Sequence, residues 1–90
     1  MKSYRAKTIE NDEVSLGNIS EYNGYKTLYE FKKRQSPYVV KMVEDLDDSW
    51  FIYVIWYKKR SGDIISNRMI TKKDLDTKLH FLDMDGWVKI

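Results

Sequence analysis

Two basic triplets, Lys32-Lys33-Arg34 and Lys58-Lys59-Arg60, are the residues of this chain best placed to do chemistry, and Trp56-Tyr57 runs directly into the second. Lysine and arginine beside aromatic rings are the ingredients of single-strand recognition, in which cations meet phosphates and bases stack on side chains. The triplets meet only if strands carry them to one edge of a sheet. If residues 25–33, 38–44 and 49–59 form consecutive antiparallel strands, the first and third end together and six cations converge. Glu44, Asp45, Asp47 and Asp48 then lie at the opposite end. A chain with a net charge of only +2 is on this reading electrically polarised, because local fields follow placement and not the sum. The plainer account is that strands gain charge where they leave the core, and that lysines there blunt edge pairing.

The remaining polar constellations are less specific. The acidic loop 44–48 offers oxygen ligands, but it lacks the twelve-residue spacing, the sixth-position glycine and the terminal glutamate of an EF-hand. It reads as a solvated hairpin loop. His80 is the only histidine and cysteine is absent, which leaves no conventional zinc site, no thiolate nucleophile and no disulfide. Flanked by Leu79 and Phe81 and by no motif, His80 reads as a structural or surface residue. Asp83 and Asp85 sit where a helix C-terminus disfavours negative charge, so they face either a cation or basic partner, or solvent at a partly exposed helix end. No phosphate-cradling glycine loop, zincin motif or nucleophile elbow is present. Paired carboxylates can in principle act as acid and base, but a chain of this length has little room for a deep pocket. The expectation is a protein that is not an enzyme, with no cofactor and no metal.

The elements that must position these groups are more legible. Residues 50–57 read Trp-Phe-Ile-Tyr-Val-Ile-Trp-Tyr, too short for a membrane helix of about 20 apolar residues and rich in types that suit a pleated surface. This is the central strand, with Trp50, Ile52, Val54 and Trp56 on one face and Phe51, Tyr53, Ile55 and Tyr57 on the other. Tyr25, Thr27, Tyr29 and Phe31 alternate with Lys26, Glu30 and Lys32, which favours a strand over a helix for residues 25–33. Further strands are expected over Tyr38–Glu44 and over Ile64–Ile70, where Ile64 and Ile70 share a face with Ser66 and Arg68. Ser3–Ile9 and Val14–Leu16 read as an N-terminal pair of short strands. Turns fall at Gly17-Asn18, Asn23-Gly24, residues 35–37 and residues 61–63.

A helix follows. Thr71 can cap its first turn with a hydroxyl, Asp74 stands where a capping box has its acid, and Leu75, Leu79 and Leu82 make one apolar stripe. Gly86 fits the left-handed position after the helix, and Trp87 then packs back on the last turn. Val88 and Ile90 can add a closing strand. The fold class is α+β: a small twisted antiparallel meander of about four to six strands, with one C-terminal helix packed on a face.

Ninety residues make one domain, spanning residues 1–90. No apolar stretch follows the N-terminal Met1–Arg5, so no secretory signal is expected, and no segment suits a membrane span; the expected compartment is the cytoplasm. Three tryptophans, seven tyrosines and three phenylalanines are more aromatic surface than a core of this size encloses. One helix covers one face of the sheet, and the other needs the N-terminal segment or a second chain. The leading expectation is therefore a small binding protein that occupies the surface of a protein partner. Trp56, Tyr57, Tyr29 and Tyr53 would be its anchors, since Trp and Tyr are enriched at hot spots, with Lys58, Lys59 and Arg60 as steering charge. In style of composition the chain resembles small accessory proteins of phages and mobile elements, including inhibitors of host or defence factors; the likeness rests on no motif. Binding of single-stranded nucleic acid or a nucleotide by Lys32, Lys33, Arg34, Lys58, Lys59 and Arg60 is the second expectation. A structural subunit of a homo-oligomer, such as a homodimer, is the third.

Overall fold

A computed structural model of the chain describes residues 16–90. A short 3-10 helix at Ile19–Tyr22 precedes strands β1 (Thr27–Lys32), β2 (Tyr38–Glu44), β3 (Phe51–Lys58) and β4 (Ile64–Thr71); a 3-10 turn at Lys72–Asp74 leads into helix α1 (Leu75–Met84), and β5 (Val88–Lys89) closes the fold. The five strands pair antiparallel in the order β4-β3-β2-β1-β5. The α+β meander with a C-terminal helix is thus the fold that forms. The expected strand Ser3–Ile9, and all but the last residue of Val14–Leu16, lie outside the described residues.

The aromatic strand β3 organises both faces. Its Ile52 and Val54 are buried on the α1 side with Phe31, Val40, Met42, Leu82 and Trp87, and Leu75 and Leu79 complete the helix stripe against them. Its Ile55 is buried on the other side with Val43 and Ile64. That second face is covered by the segment from Ile19 to Tyr25, in which sequence patterning marks a turn at Asn23-Gly24 and assigns Tyr25 to the strand over residues 25–33; the strand begins only at Thr27, and Tyr25 packs on the second face, away from Tyr29 and Phe31. Ile19, Tyr22 and Tyr25 pack on that face beside Tyr53 and Tyr57. The segment is clipped in place by Asn18. Its Nδ2 donates to the Ser61 carbonyl, its Oδ1 accepts from the Ser20 amide, and its own amide donates to Glu21 Oε2, at 3.0–3.1 Å. This is a reciprocal capping box, satisfying two donors that a helix start otherwise leaves unpaired.

Two expectations are corrected. Ile64 and Ile70 do not share a face: the register slips opposite Trp56 and Tyr57, and this bulge places Ile64 in the second-face cluster while Ile70 packs on the α1 side. One inserted residue reverses every side chain beyond it, because the strand period is two. Thr71 does not cap a backbone amide. Its hydroxyl donates to Asp74 Oδ2 at 3.4 Å, and the chain enters the helix through a tighter 3-10 turn instead.

The helix end is as expected. Gly86 takes φ 91°, its amide donates to the Asp83 carbonyl (3.1 Å) and the Trp87 amide to the Leu82 carbonyl (3.0 Å). These two bonds define a Schellman motif, with Trp87 buried against Leu82 as its apolar contact. Gly86→Ala forces a side chain into a left-handed conformation and is expected to lower unfolding free energy by about 1–2 kcal/mol. Gly24→Ala meets no atom within 4 Å and is expected to be neutral or stabilising by up to about 1 kcal/mol, through a less free unfolded chain. Denaturant titration of both variants is the check; equal losses would contradict the assignment of Gly86.

Candidate functional site

The meander brings the turns 33–37 and 59–63 to one end of the sheet, where the Lys59 amide donates to the Pro37 carbonyl at 2.8 Å. Between them lies an open cleft of about 460 Å³ bordered by Lys32, Lys33, Arg34, Ser36, Tyr38 and Lys59. Gln35 makes the turn possible with φ 65°. Lys58 and Arg60 border an adjoining hollow of about 370 Å³ with Pro37, Tyr38 and Asp63. All six cations therefore share one end, but they are not equivalent. Lys33 Nζ lies 3.6 Å from Asp85 Oδ2 and 5.8 Å from the centre of the Trp87 ring, so it ties the helix end to the sheet. Lys32, Arg34, Lys58, Lys59 and Arg60 take part in no ion pair among the described residues. Asp85, unfavourable at a helix C-terminus, is offset by this lysine and also accepts from Trp87 Nε1 at 3.2 Å.

The carboxylates lie at the far end, and several are engaged in shaping their own loop. Asp45 Oδ2 accepts from the amides of Asp47 and Asp48, both at 3.1 Å, and its Oδ1 accepts from the Tyr53 hydroxyl at 2.8 Å. The Tyr53 hydrogen bond, then the two amides, hold the Asp45 carboxyl below its ordinary value despite some desolvation. The same bond, aided by burial, pushes the Tyr53 phenol up. Glu44 pairs with Lys72 at 3.2 Å. No group of three or more metal-ligating side chains occurs among the described residues.

The four expected aromatic anchors do not form one surface. Tyr53 and Tyr57 lie on the second face. There Tyr53 packs with Tyr22 and Tyr25 at ring-centre distances of 6.2 and 6.4 Å. Tyr57 is half-buried, and burial followed by the Glu30 charge raises its phenol. Tyr29 and Trp56 lie on the α1 face. Tyr29 stacks on Phe31 at 6.2 Å with Lys89 Nζ 5.2 Å from its ring centre. Trp56 stands edge-on to Trp87 at 5.0 Å. The alternation of β3 dictates this division, since Trp56 and Tyr57 are neighbours in sequence and must point apart.

What patterning missed is on the helix. Phe81 and Met84 are 59% and 68% exposed. With Trp56, Leu82, Lys78 and Asp85 they line a groove of about 460 Å³ between α1 and the sheet. The signal was available: Phe81 and Met84 are three residues apart and off the Leu75–Leu79–Leu82 stripe, so they form a second apolar line on a helix with only one covered face. No helix of the described residues is long and apolar enough to cross a membrane.

The Asp45–Tyr53 bond has a sign that can be measured. A carboxyl held low in the folded protein adds stability above the ordinary aspartate value of about 3.9, and that stability is lost as pH falls through the lowered native value. In Tyr53→Phe the Asp45 carboxyl is expected to titrate higher, towards its ordinary value, when followed by carboxyl carbon NMR; an unchanged midpoint would show that the two amides alone hold it down. No protein-family model, curated protein or solved structure matches the chain.

Proposed function

We propose that this is a non-enzymatic binding protein that occupies a surface of a protein partner, and that the groove beside α1 is where it does so. The observation that carries this reading is the concave apolar site itself: a half-buried Trp56 and a buried Leu82 flanked by exposed Phe81 and Met84, with Lys78 and Asp85 among its lining residues. Binding hot spots have this anatomy, an aromatic anchor in a desolvated centre with polar groups around it. Lys58 follows Trp56 by two residues and projects from the same face, and Lys59 and Arg60 continue beyond it. These cations favour a partner whose contact surface is acidic, and they act mainly on the rate of encounter. Of the anchors expected from sequence, Trp56 keeps its place in this proposal and Phe81 and Met84 join it. Tyr29 lies on the same face, whereas Tyr53 and Tyr57 serve the opposite one. A cysteine-free chain of this kind suits a reducing cytoplasm, and the style of composition suits an accessory or inhibitory protein.

Phe81→Ala is the cleaner probe, because Trp56 also supports Trp87. In affinity capture from host lysate, a protein held by the wild type is expected to be lost with Phe81→Ala while the thermal midpoint of the bait barely moves. Equal capture by both baits would refute the groove.

A second reading, binding of single-stranded nucleic acid or a nucleotide, is favoured by one specific observation: Lys32, Arg34 and Lys59 border a single cleft and take part in no ion pair among the described residues. If it holds, fluorescent single-stranded DNA or RNA should bind the protein, with an affinity that falls by a slope of about 0.7 per neutralised phosphate against the logarithm of salt concentration. Lys32→Ala with Arg34→Ala should reduce both affinity and slope. No binding at low salt would remove this reading.

A further inference from the structure

We infer that the cationic end of the sheet holds a single strand of nucleic acid, which crosses Tyr38 with one base stacked on its ring and phosphates in the hollows on either side. The inference rests on the second reading above and commits it to a strand in place of a mononucleotide. Tyr38 is the residue that borders both hollows: Lys32, Lys33, Arg34 and Lys59 line one with it, and Lys58 and Arg60 line the other. The side chain is half-buried and packs against the α1-side core. Lys58 stands opposite it in the β2–β3 ladder. A ring already held by the core loses little freedom when a base settles on it, and stacking accepts any base, because every base has a flat face.

The backbone of the two turns favours a strand. A site for one nucleotide ordinarily cradles its phosphates in free backbone amides. Here the amides of Ser36, Lys59 and Gly62 donate to the carbonyls of Lys33, Pro37 and Lys58, at 3.0, 2.8 and 2.7 Å. The Tyr38 amide donates to Ser36 Oγ and the Asp63 amide to Ser61 Oγ, both at 3.2 Å. With these amides engaged, what the hollows offer a phosphate is side-chain charge, the means by which a groove follows a nucleic-acid backbone. Cations on both sides of one aromatic residue suit successive phosphates of a strand, whereas one nucleotide would use only one side.

The acids at this end leave the balance cationic. Among the described residues Asp63 is the acid that borders a hollow, the one with Lys58 and Arg60. Asp85 is engaged with Lys33. The cleft at Lys32 and Arg34 lies on the β1 side of the sheet, with β2 and β3 between it and β4, where Leu16 is bonded to Ile64. The groove beside α1 is bordered by other residues, so the two sites are tested apart.

The test uses the full chain and a fluorescein-labelled oligodeoxythymidylate of about ten nucleotides, within the span of such sites, with anisotropy followed across a salt series. Binding that weakens with salt is expected. Arg34→Ala and Arg60→Ala, one exposed residue from each hollow, should each flatten the logarithmic salt slope by about 0.7. Tyr38→Leu keeps an apolar side chain against the core and removes the ring; with an unchanged far-UV spectrum it should bind about ten-fold more weakly, whereas Tyr38→Phe should bind as the wild type does. Thymidine monophosphate at the same nucleotide concentration should not displace the strand. Full binding by a folded Tyr38→Leu, a slope moved by only one of the two arginine variants, or displacement by the mononucleotide would each overturn this proposal while the second reading stands. Absence of binding to strand and mononucleotide alike at low salt would remove both.

Discussion

Burial of β3 on both faces is the constraint from which the rest follows. Ile52 and Val54 on one side and Ile55 on the other are shielded from water, and a strand can be dry on both sides only if two separate layers lie over it. The helix supplies one layer. Among the described residues the other comes from the segment before β1: the 3-10 turn Ile19–Tyr22 and the residues after it, whose Ile19, Tyr22 and Tyr25 pack on that face. Its backbone needs a fixed anchor, and Asn18 provides one by bonding across to Ser61. Gly62, with φ 79° and Asn18 side-chain atoms only 3.1 Å from where its Cβ would stand, lets that anchor approach. The second face therefore depends on close backbone contact between the start of the described chain and the β3–β4 turn, while the first rests on the packing of the helix stripe between backbone bonds at Lys72 and in β5.

Much of this arrangement could be read in the residues. The strands of the meander, the leucine stripe and the Gly86 stop all come from short-range signals: period two, period 3.6 and a left-handed cap. These are local and act before any tertiary contact exists. The errors came where one residue changed the phase or where two signals competed. The Ile64–Ser66 stretch has no turn residue to mark its bulge, so strict alternation runs through it and puts Ile64 on the face opposite to the one it takes. At Thr71 a hydroxyl and a nearby carboxylate both fit a capping box, and the two bonded to each other. The segment Ile19–Tyr22 is a single turn, too short for the spacing of its apolar residues to show a period, while Tyr25 reads as the start of the strand over residues 25–33. Only the sheet beneath gives that spacing meaning.

The candidate site was less legible, for a related reason. Convergence of the six cations followed from strand order alone, and strand order was readable. That Lys33 is paired was not, because it meets Asp85 only through the path α1 takes back across the sheet. Type and position in the central strand mark aromatic residues as anchors, yet a tryptophan in a central strand is usually half used by the core. Trp56 is such a case: its edge-on contact with Trp87 locks the helix terminus, and only its remaining surface is left for the groove. The residues most free to bind, Phe81 and Met84, lie on the covering element, which has a solvent side to spare.

The path of α1 also explains why the polarity of the chain is incomplete. The helix starts at the acidic end with Asp74 and Asp76 and finishes at the cationic end with Asp83 and Asp85. Without an acid in its last turn, Lys33 would lose the carboxylate 3.6 Å from its Nζ, and repulsion among the clustered cations would weigh more against closure of the two turns. Asp85 removes one of them from the set by holding Lys33 to the Trp87 ring. Asp85 also stands at the Schellman end, where it accepts from Trp87 Nε1, so that the element closing the hydrophobic core also trims the charge beside it. Stability and surface potential are therefore coupled at this corner of the fold: a change at Asp85 or Lys33 alters the contact between the helix end and the sheet and, at once, the charge that the sheet end presents.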